Sequence, residues 1–290
     1  MPEEALEYSI LAEDVGTVAR LMQTLWSPVY RQGRTATLQR WFRWLEDRGG
    51  IEEYPLNAMN AAFLAEKTGQ PAQAERWADA VDRWQYRDVG APFDAYTEAM
   101  AATLRAILCR RGPEQMRADA DEAAQKFAAA NFAPAITPLL QGTARILSGD
   151  LDDADAFFAD AEGTDGEHQS ADIIALTLCE RSLVAMARDQ WEQAGASASR
   201  AHACLRQAGV ALRLRPLMTY AHPHWAVQLR IALIRVDLAL DDLAGARTLM
   251  REIDELLRRR PALGTLAGQA EGCGTGWPRR AARMPREPPR

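Results

Sequence analysis

The stretch Gly142-Thr-Ala-Arg-Ile-Leu-Ser-Gly149-Asp-Leu-Asp-Asp-Ala154-Asp-Ala-Phe-Phe158-Ala-Asp-Ala161 is an apolar helical run, a Gly-Asp break, and a second helical run that opens on acids. This order predicts two antiparallel helices joined by a tight turn. Glycine reaches left-handed backbone without penalty and so ends the first helix, while acids favour the positive end of the second. Gly142, Ala154 and Ala161, with Phe158 between them, fall where the two helices would touch. Small side chains let the backbones approach, and the ring fills the space beside them. Similar punctuation recurs at Gly69-Gln-Pro-Ala-Gln-Ala74, Arg111-Gly112-Pro113, Arg188-Asp189-Gln-Trp-Glu-Gln-Ala194 and Leu240-Asp241-Asp-Leu-Ala-Gly-Ala246. In all but the Gly112 turn, an alanine follows the break at the offset by which Ala154 follows Gly149.

The breaks fall at intervals of roughly forty residues, the range of stacked helix pairs. Sustained β-branched alternation is lacking, and no Asn-Gly or Asp-Gly turn separates such runs. The expected fold is therefore all-α: a right-handed α-solenoid of tetratricopeptide-like helical hairpins over residues 1–271. From Gly272 the composition turns to Gly, Pro and Arg without helical period, and residues 272–290 are expected to be a disordered tail.

Helical runs can be placed from their caps and apolar periods. An opening helix begins at Pro2, and a second runs from Asp14 to the Ser27-Pro28 junction. The aromatic run Leu38 to Leu45 stops at Gly49-Gly50. Four pairs should follow: Pro55 to Gly69 with Pro71 onward, Tyr96 to Arg111 with Pro113 to Ala130, Ile136 to Leu147 with Leu151 to Ala161, and Ala171 to Arg188 with Trp191 to Gln207. A last strong pair is Trp225 to Leu240 with Asp242 to Arg260, and a short helix runs from Ala262 to Glu271. Residues 163–170 read as an exposed loop, and 210–216 are ambiguous.

Composition limits the function classes. A hydrophobic fraction of 48% with 26% charged residues is that of a chain able to fold. A formal charge of −6 argues against a chain built to grip phosphate backbones. Cys109, Cys179, Cys204 and Cys273 are far apart and follow no apolar leader, which points to reduced thiols in a cytoplasm rather than a disulfide frame. No apolar run is long enough to span a membrane.

Motifs for chemistry are weak. Neither Lys67 nor Lys126 follows a glycine-rich turn, so no phosphate loop is present. Asp150-Leu-Asp152-Asp153-Ala-Asp155 starts like a calcium loop, but Asp155 occupies the sixth position and Ala161 the twelfth, where glycine and glutamate are needed. Acids at a helix start explain it better. His222-Pro-His224 offers two imidazoles, yet a loop leading into the Trp225 helix explains it without a metal. Trp41, Phe42 and Trp44 with Arg40 and Arg43, and Trp77 with Trp84, read as helix packing rather than base stacking. No cofactor, metal or catalytic residue is expected, and the chain reads as a non-enzyme.

One surface remains. The first helix of each stacked pair lines the concave side, and the repeat register puts Met59, Phe63, Leu139, Thr143, Cys179, Leu183 and Met186 toward it. That face is apolar, fit for a protein partner's amphipathic helix or a small inducer. The competing reading is that these residues close a tight superhelix.

Three segments carry a resemblance. They are Tyr30-Arg-Gln-Gly-Arg34-x-x-Thr-Leu-Gln-Arg-Trp41-Phe-x-Trp44-Leu, Gln70-Pro-Ala-Gln-Ala-Glu-Arg-Trp77-Ala, and Ala244-Gly-Ala-Arg247-Thr-Leu-Met-Arg-Glu-Ile-Asp-Glu-Leu-Leu-Arg-Arg-Arg260-Pro-x-Leu-Gly264. With them the chain, from Pro2 to Glu271, resembles the tetratricopeptide-like middle region of the large ATP-dependent LuxR-type (MalT-like) transcriptional regulators of actinobacterial type. The resemblance implies a sensor and interaction segment that relays an inducer or partner to an ATPase and a DNA-binding helix-turn-helix. Neither of those parts has a counterpart in this chain, so DNA contact would come only through a separate or missing domain, and a truncated or split gene product is expected. The resemblance also implies that a hairpin is lost between Cys204–Gly209 and Leu214–Tyr220. Self-association is a further expectation, and a free-standing scaffold unrelated to transcription is the alternative.

Overall fold

The computed structural model describes residues 2–85, 94–163, 171–208, 222–239 and 242–275. Every regular element among the described residues is an α-helix. The 163–170 loop beyond Gly163, the stretch 210–216 and residues 276–290 of the expected tail lie outside the described residues.

The helices are α1 Pro2–Leu11, α2 Val15–Arg31, α3 Thr35–Glu46, α4 Gly50–Glu53 and α5 Pro55–Lys67. Then come α6 Pro71–Gln85, α7 Ala95–Leu108, α8 Pro113–Ala129, α9 Ile136–Ser148 and α10 Leu151–Gly163. The last are α11 Ala171–Ala187, α12 Trp191–Ala208, α13 Pro223–Ala239, α14 Leu243–Arg259 and α15 Thr265–Thr275. Consecutive partners α5/α6, α7/α8, α9/α10 and α11/α12 pack as hairpins, and α5, α7, α9 and α11 touch in a row to form one inner wall.

The hairpin turns share one geometry. Gly69, Gly149 and Asp189 adopt φ of 72°, 87° and 58°, each in the left-handed region. The next residue's N–H then reaches back five residues: Gln70 to the Ala65 carbonyl at 2.8 Å, Asp150 to Arg145 at 2.9 Å, and Gln190 to Ala185 at 2.9 Å. These bonds satisfy carbonyls that a helix end leaves open. The alanine after each break is buried: Ala74, Ala154 and Ala194, and likewise Ala246 in α14. Starts are fixed as firmly, by Asp14 accepting from the Thr17 N–H at 3.0 Å, Asp94 from Thr97 at 2.7 Å and Asp242 from Gly245 at 2.9 Å. In the α9/α10 hairpin a Cβ at Gly142 would meet the Phe158 ring at 2.5 Å, and Ala154, Phe158 and Ala161 are buried in the same cluster.

Four placements differ from the sequence reading. Helix α2 runs through Pro28 to Arg31 instead of stopping there. Proline costs a helix its hydrogen bond to the preceding turn, but Val29 is buried just beyond and the Trp26 and Tyr30 rings stack 5.4 Å apart across the proline. A one-turn helix, α4, follows Gly49-Gly50 and buries Ile51. Helix α15 reaches Thr275, so residues 272–275 belong to the fold rather than the tail.

The fourth difference matters most. The pair α13/α14 does not simply extend the row beyond α12. Residues 222–227 at the start of α13 are buried on every side. His222 bonds Glu66 of α5, and the Trp225 indole donates to Glu180 of α11 at 2.5 Å. Arg260, after α14, pairs with Glu75 of α6, which is 185 residues away in sequence. The Thr265 hydroxyl of α15 donates to the Ile146 carbonyl of α9 at 3.3 Å. The last helices therefore fold back across the inner wall.

Candidate functional site

That return places the residues expected to line an open groove. Met59, Phe63, Leu139 and Thr143 are buried, and Cys179, Leu183 and Met186 are half-buried. Leu139 shares a cluster with Trp225 of α13, and Met59 and Phe63 share one with Ala226 and Val227. The Thr143 hydroxyl donates to the Leu139 carbonyl at 2.8 Å. Burial pushes the Cys179 thiol up to about 11, so it stays protonated and a poor nucleophile at neutral pH. Over Met59, Phe63 and Leu139, an incoming helix would find α13 already in place.

What stays open is a pocket of about 220 Å³ between the inner wall and the start of α13, and of the seven only Phe63 lines it. Its walls are mostly aromatic and aliphatic, with Lys67 and Thr103 among them. Trp26 and Tyr30 come from α2, Phe63 from α5, Met100 and Ile107 from α7, Ile136 from α9, and Ile173 and Leu176 from α11. Trp225 and His222 close the far side. The sequence singles out Phe63 for a groove and His222 only as a loop residue before the Trp225 helix, while Trp26, Met100 and Leu176 escape notice because they carry the same apolar pattern as core positions. His222-Pro-His224 was the available signal: two imidazoles beside a tryptophan at a helix start.

The polar groups at the α13 end are layered. Glu66 is fully buried; one of its oxygens meets His222 Nε2 and the other lies 4.0 Å from Lys67 Nζ. The His222 ring lies 4.1 Å from the Trp225 ring, and His224 lies 5.0 Å from the same ring on another side. Burial, with His222 nearby, pushes the His224 pKa well below the ordinary value and holds the ring neutral. Behind Trp225, burial raises the Glu180 carboxyl to about 7, while hydrogen bonds from Trp225 and Gln228 pull the other way. Among the described residues no group of three or more His, Cys, Asp or Glu is placed to hold a metal ion.

A larger hollow of about 380 Å³ beside α7 and α8 is lined by Arg105, Asp82, Asp119 and Glu122. Arg110 and Arg111 line it too, and Arg105 already bonds Asp119 at 2.9 Å and Glu122 at 2.7 Å, so those three charges are spent on one another. Among the described residues no helix is long and apolar enough to cross a membrane. The chain matches no family model, no curated protein and no solved structure.

Proposed function

We propose that this chain is a sensor segment of a LuxR-type transcriptional regulator, in which a small inducer enters the aromatic pocket. Helix α13 then passes the occupied state to ATPase and helix-turn-helix parts carried elsewhere. The carrying observation is the pocket itself, an apolar hollow whose far wall is the end of a helix that reaches across the inner wall. A ligand that touches both wall and helix changes their relative free energy, which is what a relay requires. The segments at Tyr30–Leu45, Gln70–Ala78 and Ala244–Gly264 support the regulator family. In this reading the hairpins wind as a right-handed tetratricopeptide-like solenoid in a cytoplasmic protein.

The test is amide hydrogen exchange across 223–239, with and without a saturating neutral two-ring aromatic. Slower exchange over α13 is the expected outcome. Binding that leaves α13 unchanged would remove the relay.

A scaffold reading rests on a different observation. Tyr8 and Leu11 of α1 and Trp191 of α12 are exposed at 73%, 78% and 64%, and exposed aromatic and aliphatic side chains favour association. Sedimentation of the wild type against a Tyr8→Ser/Leu11→Ser variant separates the two: a shift from dimer to monomer supports self-association through α1.

A further inference from the structure

Within the pocket, the wall offers little that could tell one apolar guest from another. The Thr103 hydroxyl is already committed to the Ala99 carbonyl at 2.8 Å. His222 is different. Its side chain is 2% exposed and lines the pocket, its Nε2 faces the Glu66 carboxylate, and among the described residues its Nδ1 has no hydrogen-bond partner. A buried polar atom left unpaired is unfavourable, so such atoms in native proteins mark a role.

We infer that His222 is the specificity group of this pocket, and that its Nδ1 takes the hydroxyl of a neutral one- or two-ring aromatic alcohol of the phenol or naphthol class. The inference rests on the pocket reading given above. The Glu66 carboxylate lies against Nε2; a carboxylate favours the tautomer with the proton on that nitrogen, which leaves the Nδ1 lone pair for a guest. A phenolic O–H donates to that lone pair.

Charge and size narrow the class. Lys67 lines the pocket and lies 4.0 Å from the buried Glu66 carboxylate, so an aromatic acid would have to compete with Glu66 for that one cation. An apolar cavity of roughly 150 Å³ accommodates benzene, so the about 220 Å³ here takes one or two rings. The faces of Trp26, Tyr30, Phe63 and Trp225 supply stacking surface for them.

The experiment uses the intact chain with 2-naphthol, 2-methoxynaphthalene, naphthalene and 2-naphthoate as probes. Affinities come from calorimetry, and the 15N shifts of His222 are followed by NMR. Expected is 2-naphthol binding at least tenfold tighter than naphthalene and the methyl ether, 2-naphthoate weaker still, and a shift at His222 Nδ1 with 2-naphthol only. His222→Phe should bind 2-naphthol and naphthalene equally. Because that change strands the Glu66 charge, the Glu66→Gln/His222→Phe pair serves as a second variant, with helicity checked by circular dichroism. Equal binding of 2-naphthol and naphthalene by the wild type, or an unmoved Nδ1, overturns the inference and leaves the pocket reading standing. No binding of any probe overturns both.

Discussion

Glu180 and His224 flank Trp225 and titrate against each other. Burial raises the Glu180 carboxyl from the ordinary 4.5 to about 7. Below about pH 4.5 folded and unfolded chains both keep that proton; as pH climbs to about 7 the unfolded chain releases it first, and stability is lost. His224 works in the opposite sense. Its folded ring stays neutral, so acid below the ordinary 6.5 protonates only the unfolded chain and stability falls as pH falls. Between pH 4.5 and 6.5 the two partly cancel in the wild type. Glu180→Gln removes one side, and the replacing amide can donate to Gln228 Oε1, which has no partner among the described residues. Urea titrations should show it more stable than wild type by about 2–3 kcal/mol above pH 7, with the gain shrinking toward pH 4.5. A gain that does not vary with pH would rule out an ionised Glu180 as its cause. Gly142→Ala should cost about 1–3 kcal/mol, because the new Cβ meets the buried Phe158 ring within the hairpin. A thermal melt equal to wild type would count against that close packing.

At the scale of helices and turns, the sequence carries most of the information. Gly69, Gly149 and Asp189 mark turns whose left-handed backbone is observed, and the aspartates at 14, 94 and 242 cap helices by local hydrogen bonds. Such signals are legible because their cause lies within a few residues. Pro28 misleads for the converse reason: what keeps α2 intact is the burial of Val29 and the stacking of Trp26 on Tyr30. The site was legible only at Phe63, since helix α13 is apolar at 225–227 and again at 231–234, a pattern that says it is buried without saying against what. Its docking is set by His222 with Glu66 and Trp225 with Glu180, pairs no periodicity reveals. The turn after α14 is placed as tightly. Gly264 has φ of 57°, and a Cβ there would run into the Leu147 carbonyl and Pro113. Gly264→Ala should therefore release α15 from α9 and lower stability by about 2 kcal/mol or more. Amide exchange would show it as lost protection over 265–275 with α10 and α11 unaffected; loss spread evenly would mean that α15 is not a separable element.

On the scale of the whole molecule, repeat arrays are ordinarily sums of neighbours, each unit touching only the next. Here Arg260 bonds Glu75 and Thr265 bonds Ile146, so the end of the described chain is tied to its middle. A chain ending at residue 208 should keep its hairpins yet expose Met59, Phe63 and Leu139. It is expected to bind an apolar dye too large for the about 220 Å³ pocket, which the full chain ignores, and a peptide of residues 222–239 should displace that dye. If the shortened chain ignores the dye as well, its inner wall has closed without α13. The same tie has a bearing on synthesis. Ribosomes deliver the N-terminal residues first, at roughly 5–20 residues per second, so the wall of α5, α7, α9 and α11 is complete while the stretch from 208 to 275 is still to come. For a time on the order of ten seconds the nascent protein has an apolar wall without its cover, the kind of surface that invites aggregation until the last helices arrive.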